Sequence, residues 1–490
     1  MNNEPTINGP LAPPTANGRP LAIFVLGCGR GTVAKALLDG GATLIIIVEP
    51  DEALMRESFD AADWSSLQGD PRVRFAVGEP LADRIAAALP EAADPLLEVE
   101  HGVGVIAGEV GNRVQEAFQK AAAEASEAFD NAAMAQTAST RPLPDGTLRL
   151  ATATSRSTSA LRTLAPAIMA AAGRAGHDAH VLLADHLHDP FLASDHKRWM
   201  LETNPDACVS FLRPGAMLAP WRKDYPSIVV VSSNPHLLNV EAMPWSDREL
   251  VVVTDPDFRS AYDALGVQTR LRSLATDLPS EEQLLGGTPC DALVVGNVPG
   301  GTTINPNFDD VETATRWALD PSSIAPDDRA LAYEATARRR ALAAIELANA
   351  GLEVRIHGGA EWLPLIQGTA AEQCWHGPLD PAHNQAAAFR AAKCVINVNS
   401  FATPSMLNMR SFDVPAAGGV LISDDRTALH TAFDVGREVL AFTHPAELPE
   451  LVRSVVDKSI GDAARSRVER EHTWDHWWKW AEVELRTFKC

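Results

Sequence analysis

The side chains best suited to hold a phosphate-bearing ligand lie in one segment of the last third of the chain. The segment reads CVINVNSFATPSMLNMRSFDVPAAGGVLISD and spans residues 394–424. An apolar run leads into a polar loop, and a helix-like turn with Arg410 and Asp413 follows. A guanidinium and backbone N–H groups can hold a diphosphate, and a carboxylate one helical turn away can hold a ribose. The segment therefore predicts a site for a nucleoside diphosphate, formed by Asn399, Asn408, Arg410, Asp413, Gly418 and Gly419.

Structural interpretations compete with this one. Arg410 and Asp413 are three positions apart, so they could instead pair with each other on the surface of a helix. Arg338 and Arg339, on a preceding helix-like stretch, are further candidates for phosphate contacts. For these two arginines, solvated helix charges are the stronger interpretation.

Two acidic motifs raise the question of a metal site. Residues 185–189 read DHLHD, and imidazoles two positions apart on an extended segment point the same way. Because no independent third ligand accompanies them, a polar loop is the better interpretation. Asp255-Pro256-Asp257 could bind Mn²⁺, but a cap at the start of a helix is favoured. We therefore predict no metal site.

A glycine-rich turn near the start of the chain is typical of a cofactor-binding fold. Gly27-Cys28-Gly29-Arg30-Gly31 follows an apolar run, and Glu49 ends the next one. Glycines let a cofactor approach the backbone, and a carboxylate in that place can accept hydrogen bonds from a ribose. The pattern resembles S-adenosylmethionine-binding methyltransferases in its first three strands, but a helical linker follows too soon for seven strands. We therefore do not expect S-adenosylmethionine to be required, and a methyltransferase stays an alternative.

Alternating apolar runs and helix-like stretches place these residues on an α/β framework with parallel sheets. Two consecutive series predict two doubly wound, Rossmann-like domains with the active site in the cleft between them. A smaller methyltransferase-like α/β domain and a helical linker precede them. The predicted divisions are a flexible tail (1–20), the small domain (21–105), the linker (106–147), the two Rossmann-like domains (148–288 and 289–470) and a helix that packs back (471–490).

Composition excludes several classes of protein. The 490 residues are 46% hydrophobic and 22% charged, as in globular proteins of several domains. The net charge of −22 opposes binding to nucleic acid or to an anionic membrane. No apolar run approaches the roughly 20 residues that cross a bilayer, and no leader opens the chain, so we predict a cytoplasmic protein. The six cysteines are scattered without CxxC spacing, which argues against a disulfide framework or a zinc site.

The order of several motifs resembles the CgeB-type, spore-maturation-like glycosyltransferases, which belong to the GT-B group with two Rossmann domains. The resemblance covers roughly residues 148–480. It rests on LRLATATSRSTSALRTLAPAI, CDALVVGN, LEVRIHGGAEW, FRAAKCVINVNS, NMRSFDVPAAGG, FDVGREVLAF and EHTWDHWWKW. It implies the GT-B fold, with residues 148–288 as the acceptor-side domain and residues 289–470 as the nucleotide-sugar domain. It also implies transfer of a sugar, without a metal, from a nucleoside diphosphate sugar to a hydroxyl of a glycan or protein.

The resemblance also implies roles for residues outside the first segment. His236 and His186 are the candidates for the acceptor-side base. Ser405 stands where the wider retaining group has a sugar-side glutamate, so that carboxylate is missing, whereas Asp413 takes the place of the second glutamate. Backbone amides that would stabilise the departing diphosphate lie near Gly296, Asn297, Gly358 and Gly359.

We therefore predict a glycosyltransferase. The alternatives are a non-catalytic glycan-binding or assembly protein and a methyltransferase that uses the first domain. The sequence leaves open the base and sugar of the donor, the acceptor, the stereochemical outcome and whether the chain forms a homo-oligomer.

Overall fold

The computed structural model describes residues 15–16, 19–20, 22–28, 31–42, 44–88, 99–100, 143–154, 159–183, 199–212, 214, 226–233, 235, 240–296, 298, 329–379 and 384–487. Three predicted site residues lie outside this set, namely Asn297, His186 and His236. The DHLHD motif and most of the predicted linker lie outside it as well.

The first unit is a small parallel sheet with the strand order β5-β4-β3-β6. Its central strand β4 reads LIIIVE and is buried along most of its length, as expected for a parallel strand covered on both faces. A short antiparallel pair, β1 with β2, precedes it. The strands are β1 (Thr15–Ala16), β2 (Arg19–Pro20), β3 (Ala22–Leu26), β4 (Leu44–Glu49), β5 (Val73–Val77) and β6 (Val99–Glu100), and the helices are α1 (Thr32–Asp39), α2 (Glu52–Ala61), α3 (Ser65–Gln68) and α4 (Leu81–Ala88).

The second unit is a six-stranded parallel sheet with the order β12-β11-β10-β9-β7-β8. Its central strands β9, β10 and β11 are buried at every position because their largely apolar runs are covered on both faces. The strands are β7 (Arg149–Thr154), β8 (Asp178–Leu183), β9 (Ala207–Phe211), β10 (Ser227–Val231), β11 (Glu249–Val253) and β12 (Gln268–Leu271), and the helices are α5 (Ser159–Arg174) and α6 (Arg259–Asp263).

The third unit is a five-stranded parallel sheet with the order β14-β13-β15-β16-β17. Its strands are β13 (Ala292–Val295), β14 (Val354–His357), β15 (Cys394–Asn397), β16 (Leu421–Asp424) and β17 (Leu440–Phe442). Its helices are α7 (Arg329–Asn349), α8 (Leu363–Ile366), α9 (Gln385–Ala391), α10 (Arg410–Ala416), α11 (Thr427–Ala432), α12 (Leu448–Ser454) and α13 (Ser459–Glu471). The predicted α/β class with Rossmann-like parallel sheets is confirmed.

The chain passes between the second and third units twice, first near Thr276 and again near residues 472–474, and we name these two segments the first and second crossovers. In the first crossover, Thr276 donates from its backbone N to His472 O at 3.1 Å. In the second, Trp474 donates from its backbone N to Thr276 O at 3.0 Å. The two crossovers therefore run side by side and are hydrogen-bonded to each other.

The last helix, α14 (Trp474–Arg486), lies against the second unit. Trp474, Trp477 and Trp478 are buried in one core with residues of α5 and of the strands β7 and β9. Arg174 on α5 donates to Asp475 at 2.7 Å. None of the described helices combines the length and apolar character needed to cross a bilayer.

Candidate functional site

The strand order of the third sheet reverses between β13 and β15, and this is where a ligand is expected. Strand β13 pairs with β14 on one side and with β15 on the other, so the helices that follow these strands diverge. In open α/β sheets, ligands bind outside the carboxyl ends of the strands at such a switch point. Gly296 follows β13 and Asn397 ends β15, and both lie at this edge.

Arg410, the first residue of α10, lies at the switch point. Its Nη1 donates to Asn397 Oδ1 at 3.0 Å. A Cβ added to Gly296 would lie 2.8 Å from Arg410 Nη2, so the guanidinium occupies the space that a side chain would need. Its Nε is buried and has no hydrogen-bond partner among the described atoms. Burial lowers the pKa of Arg410 to about 10, which still leaves the side chain cationic at neutral pH. An anion is the ligand that satisfies such a group.

Three asparagines form a buried network that holds Arg410. Asn397 and Asn399 are both 0% exposed. Asn408 donates from its side chain to Asn397 Oδ1 at 3.1 Å and from its backbone to Asn399 Oδ1 at 2.8 Å. Because Asn397 Oδ1 accepts from both Asn408 and Arg410, the asparagine network fixes the position of the guanidinium.

Arg340 adds a second guanidinium at this edge. It is buried and donates to Val398 O from Nε at 3.2 Å and from Nη2 at 2.8 Å. Burial, together with the nearby charge of Arg410, lowers its pKa to about 9. Two like charges near one buried edge repel each other, which favours the binding of an anion between or beside them.

The buried pair Asp424 and Arg426 follows β16 and clamps the loop of residues 398–409, which we name the donor loop. Arg426 Nε donates to Asp424 Oδ2 at 2.7 Å, and Asp424 Oδ1 accepts from the backbone and side chain of Asn399, both at 2.8 Å. Burial opposes ionisation of Asp424, but the Arg426 charge and these donors hold its pKa below the usual range. The Arg426 guanidinium also donates to four carbonyls, those of Ser400, Thr403, Pro404 and Met406.

Gly358 and Gly359 follow β14 and border the same edge. Trp362 donates from Nε1 to Gly296 O at 2.7 Å. A Cβ on Gly358 would clash with Gly296 O and with the Trp362 indole, and a Cβ on Gly359 would clash with the Glu361 carboxylate. Both glycines therefore permit close packing of the loops around Gly296.

Asp413 lies one turn beyond Arg410 on α10 and contacts the first crossover. Thr276 donates from Oγ1 to Asp413 Oδ1 at 2.6 Å. Burial raises the pKa of Asp413 to about 6, although the Thr276 hydrogen bond and the Arg410 charge act in the opposite direction. Arg410 and Asp413 thus have different partners, and the alternative that they only pair with each other on the surface is wrong.

The structure does not bring Gly418 and Gly419 to this edge. They end α10, with Gly418 N bonded to Pro415 O and Gly419 N to Val414 O, and they precede β16. Because the strands are parallel, residues before β16 lie at the amino edge of the sheet, opposite Asn397. Their small size serves packing, since a Cβ on Gly419 would lie 2.7 Å from Phe389 O.

The tip of the donor loop contacts the second unit. Asp255, which follows β11, accepts from the backbone N of Ser405 at 3.1 Å and of Met406 at 3.0 Å. Ser405 also donates from Oγ to Asp257 at 2.6 Å. Asp255 caps the short 3₁₀ helix that begins at Pro256, as predicted. Carboxyl ends of strands in both sheets therefore meet at this loop.

The predicted surface arginines are less exposed than expected. Arg338 donates to Glu334 at 2.7 Å, four positions earlier on α7. Arg339 is only 4% exposed, and it donates to Thr443 O and packs on the rings of Phe401 and Phe442. The interpretation of Arg339 as a solvated helix charge is wrong, because its side chain lies on the buried face of α7.

In the first unit, the carboxylate of Glu49 binds backbone amides of the neighbouring chain segments. Glu49 accepts from Cys28 N at 3.2 Å and from Asp51 N at 3.1 Å, so both of its oxygens bind backbone amides. A Cβ on Gly31 would meet the side chains of Leu67 and Trp64. Burial raises the pKa of the Cys28 thiol to about 11, so it stays protonated at neutral pH. Within the described ranges, no group of three or more His, Cys, Asp or Glu side chains is arranged to hold a metal.

Sequence reasoning missed several residues of the site. Asn397, Arg340, Asp424 and Arg426 were not singled out, and neither was Thr276. A polar residue at the end of an otherwise apolar strand is the signal that Asn397 and Asp424 carry, since both end buried strands of a parallel sheet. No sequence signal relates Thr276 to Asp413, which lies 137 positions away.

A family model described as glycosyl transferase-like matches residues 336–482, which include α10 and the clamp of Asp424 and Arg426. A comparison with curated proteins finds no match.

Several solved structures resemble this chain in their backbone fold. A sucrose-phosphate synthase from Thermosynechococcus elongatus is 15% identical, with 60% of this chain and 76% of that chain covered and a TM-score of 0.38. A glycosyltransferase from Rickettsia africae is 9% identical, with 70% and 100% covered and a TM-score of 0.45. AviGT4, a glycosyltransferase involved in avilamycin A biosynthesis, is 12% identical, with 67% and 89% covered and a TM-score of 0.41. Similarity of this degree identifies neither donor nor acceptor, whereas the family match shows that residues 336–482 form a glycosyltransferase-like domain.

Proposed function

We propose that this protein is a glycosyltransferase that moves a sugar from a nucleoside diphosphate sugar to a hydroxyl acceptor. The observation that carries the proposal is Arg410, whose buried Nε has no hydrogen-bond partner among the described atoms and whose guanidinium lies beside Gly296 at the switch point of the third unit. Arg410 itself lies within residues 336–482, which match the glycosyl transferase-like family. The proposed ligand of this guanidinium is the diphosphate of the donor.

The chemistry follows from the position of the charge. The bond between the anomeric carbon and the diphosphate oxygen breaks, and an acceptor hydroxyl oxygen forms the new bond to that carbon. Negative charge grows on the departing diphosphate, and Arg410, with the field of Arg340 behind it, stabilises that charge. Because both groups are fixed before the donor binds, little reorganisation is needed during the reaction.

Asp413 is the proposed ribose contact. Its Oδ1 accepts from Thr276, so the ribose hydroxyl would donate to Oδ2. His236 and His186 remain the proposed acceptor-side bases, and they lie outside the described residues. The base must receive the proton of the acceptor hydroxyl as the new bond forms.

The finer assignments belong to the proposal as well. They are membership of the CgeB-type group, transfer without a metal, a glycan or protein acceptor, a cytoplasmic location and a methyltransferase-like origin of the first unit. For the last of these, the order β5-β4-β3-β6 and the glycine turn give support.

The proposal is tested by nucleotide binding. Uridine and thymidine diphosphate are titrated calorimetrically into the wild type, Arg410→Ala and Arg410→Lys, and a panel of nucleotide sugars is screened for thermal stabilisation and slow hydrolysis. A charge-assisted hydrogen bond contributes about 1.5–3 kcal/mol, so Arg410→Ala should weaken binding by roughly 10- to 100-fold. The nucleotide affinity of Arg410→Lys should lie between those of the wild type and Arg410→Ala, since lysine keeps the charge but not the planar set of guanidinium donors.

Arg437→Ala is the matched control, because Arg437 is an exposed arginine of the same unit. Its nucleotide affinity should equal that of the wild type. Unchanged affinity in folded Arg410→Ala, or a wild type that binds no diphosphate and no nucleotide sugar, would contradict the proposal.

A further inference from the structure

The donor loop has one anchor in its own unit and another in the neighbouring unit. The second anchor is Asp255, whose side chain is fully buried at the carboxyl end of β11. Its Oδ2 accepts from Ser405 N and Met406 N, and its Oδ1 accepts from Asp257 N at 3.0 Å. Three backbone N–H groups from two units therefore share one carboxylate.

The residues on either side of Asp255 also contact the donor loop. Thr254, just before Asp255, donates from Oγ1 to Val231 O at 2.8 Å, and the same Oγ1 contacts Met406 Sδ at 2.9 Å. Asp257, just after it, accepts from Ser405 Oγ at 2.6 Å. Burial of a carboxylate is costly unless donors compensate for the lost water, and here the compensating donors are largely those of the loop. Ionised Asp255 therefore favours the arrangement in which the loop lies against it.

Met406 shows how the two anchors combine. Its N–H donates to Asp255 of the second unit, and its carbonyl accepts from Arg426 of the third unit at 3.3 Å. Asn408 follows two residues later and binds both Asn397 and Asn399, which position Arg410. The loop conformation at Asn408 and Arg410 is thus tied to the spacing between the two units.

We propose that Asp255 is a positioning residue for donor binding: by accepting the N–H groups of Ser405 and Met406, it holds the donor loop in its binding arrangement and sets the spacing of the two units. This inference rests on the proposed function of the Arg410 site. If Asp255 only selects the binding-competent conformation, its loss lowers the competent fraction and raises the apparent dissociation constant by the inverse of that fraction. Saturating donor restores the competent state, so the turnover number is preserved.

The test compares Asp255→Asn with two controls. Asparagine is neutral and keeps one acceptor oxygen, so its NH₂ group must face either the two loop amides or Asp257 N. In either orientation contact with the loop is weakened, because hydrogen bonds to a neutral oxygen are weaker than hydrogen bonds to a carboxylate. We expect Asp255→Asn to raise both the dissociation constant for uridine or thymidine diphosphate and the KM for the donor by about tenfold, with kcat within about twofold of the wild type. Asp247→Asn, an exposed aspartate of the same unit, should change neither. Ser405→Ala keeps the backbone donor to Asp255 and loses only the hydroxyl contact with Asp257, so it should weaken affinity less than Asp255→Asn does.

The outcomes separate the inference from the function on which it rests. A wild type that binds no nucleotide contradicts the proposed function, whereas equal affinity of wild type and Asp255→Asn overturns the inference alone. A fall in kcat with unchanged KM also overturns it, because Asp255 would then act on the chemical step. If Asp255→Asn does not fold, hydrogen exchange of the wild type without nucleotide tests whether the anchor is present. The amides of Ser405 and Met406 should be protected at least 100-fold relative to an unstructured chain, and exchange without protection would refute the anchor.

Discussion

Arg410 is held in place by a side-chain amide and by close packing against the backbone at Gly296. The nearest acidic side chain on its helix, Asp413, bonds to Thr276, and the guanidinium bonds to Asn397. A cation held in this way keeps its charge for a ligand, whereas an ion pair with a carboxylate would cancel it. The backbone at Gly296 makes this arrangement sterically feasible.

Gly296→Ala should therefore impair the site more than the fold. The residue has φ 144°, which side chains rarely adopt, and the new Cβ would lie 2.8 Å from Arg410 Nη2. We expect a loss of about 1–3 kcal/mol in the free energy of unfolding and a weaker affinity for uridine or thymidine diphosphate. Urea unfolding and calorimetry measure the two effects.

Gly351→Ala is the matched control for backbone strain. Gly351 has φ 75°, and a Cβ there would meet nothing within 4 Å. It should lose about 1–2 kcal/mol of stability and no nucleotide affinity. If both variants bind the nucleotide like the wild type, Arg410 and Gly296 do not form the diphosphate site.

Asp413 should make stability depend on pH in a mildly acidic window. Its pKa of about 6 in the folded chain lies above the value near 4 of an unfolded aspartate. Between these values the folded state binds more protons than the unfolded state, so the free energy of unfolding falls as pH rises from about 4 to about 6. The stability advantage of the wild type over Asp413→Asn should shrink by at most about 3 kcal/mol across this window, as measured by urea unfolding.

Asp434→Asn, at an exposed position of the same unit, is the matched control. Thr276→Val should enlarge the effect, because the Thr276 hydroxyl lowers the pKa of Asp413. A difference between wild type and Asp413→Asn that does not vary between pH 4 and pH 7 would show that the carboxyl does not titrate in this way.

At the scale of elements, the donor loop is stabilised by the buried pair that follows β16. Arg426 and Asp424 have only 4% and 5% of their side chains exposed. Removing one partner leaves an uncompensated buried charge, and loss of Arg426 also removes a donor that four loop carbonyls share.

Arg426→Ala should thus destabilise the chain by about 3–5 kcal/mol. Chemical unfolding measures this loss, and Arg437→Ala should stay within about 0.5 kcal/mol of the wild type. A loss below about 1 kcal/mol in Arg426→Ala would mean that the pair does not support the loop.

The elements could be predicted from the sequence wherever apolar runs are long. The runs IIIV, IVVV and LVVV lie in β4, β10 and β11 because a strand covered on both faces must be apolar throughout. The edge strands β12 and β17 escaped prediction, since QTRL and LAF are short and only partly buried. Gly418 and Gly419 misled for a physical reason: a glycine pair between a helix and a strand also serves as a helix end.

The site was predictable in part. Arg410, Asn399 and Asn408 stand in one segment, and the structure brings them together with Gly296 and Gly358 at the carboxyl edge of the third sheet. Contacts between units could not be predicted, because local patterns carry no information on which loops meet across a cleft. Asp255 and Thr276, which reach the donor segment from 137 to 151 positions away, are of this kind.

At the scale of the whole molecule, a strongly acidic chain encloses a basic edge. The net charge is −22, yet Arg339, Arg340, Arg410 and Arg426 are gathered near the carboxyl ends of the third sheet. Long-range attraction therefore does not guide an anionic donor to the protein, and binding depends on short-range contacts at that edge. Affinity for a diphosphate should accordingly follow the arginines and the loops that fix them.

The most direct measurement is a crystal structure of the wild type with uridine or thymidine diphosphate. The account predicts the diphosphate outside the carboxyl ends of β13 and β15, with an oxygen within hydrogen-bond distance of the Arg410 guanidinium and the ribose beside Asp413. A diphosphate bound instead at the glycine turn of the first unit, or an edge closed to the nucleotide by the side chains around Gly296, would contradict it.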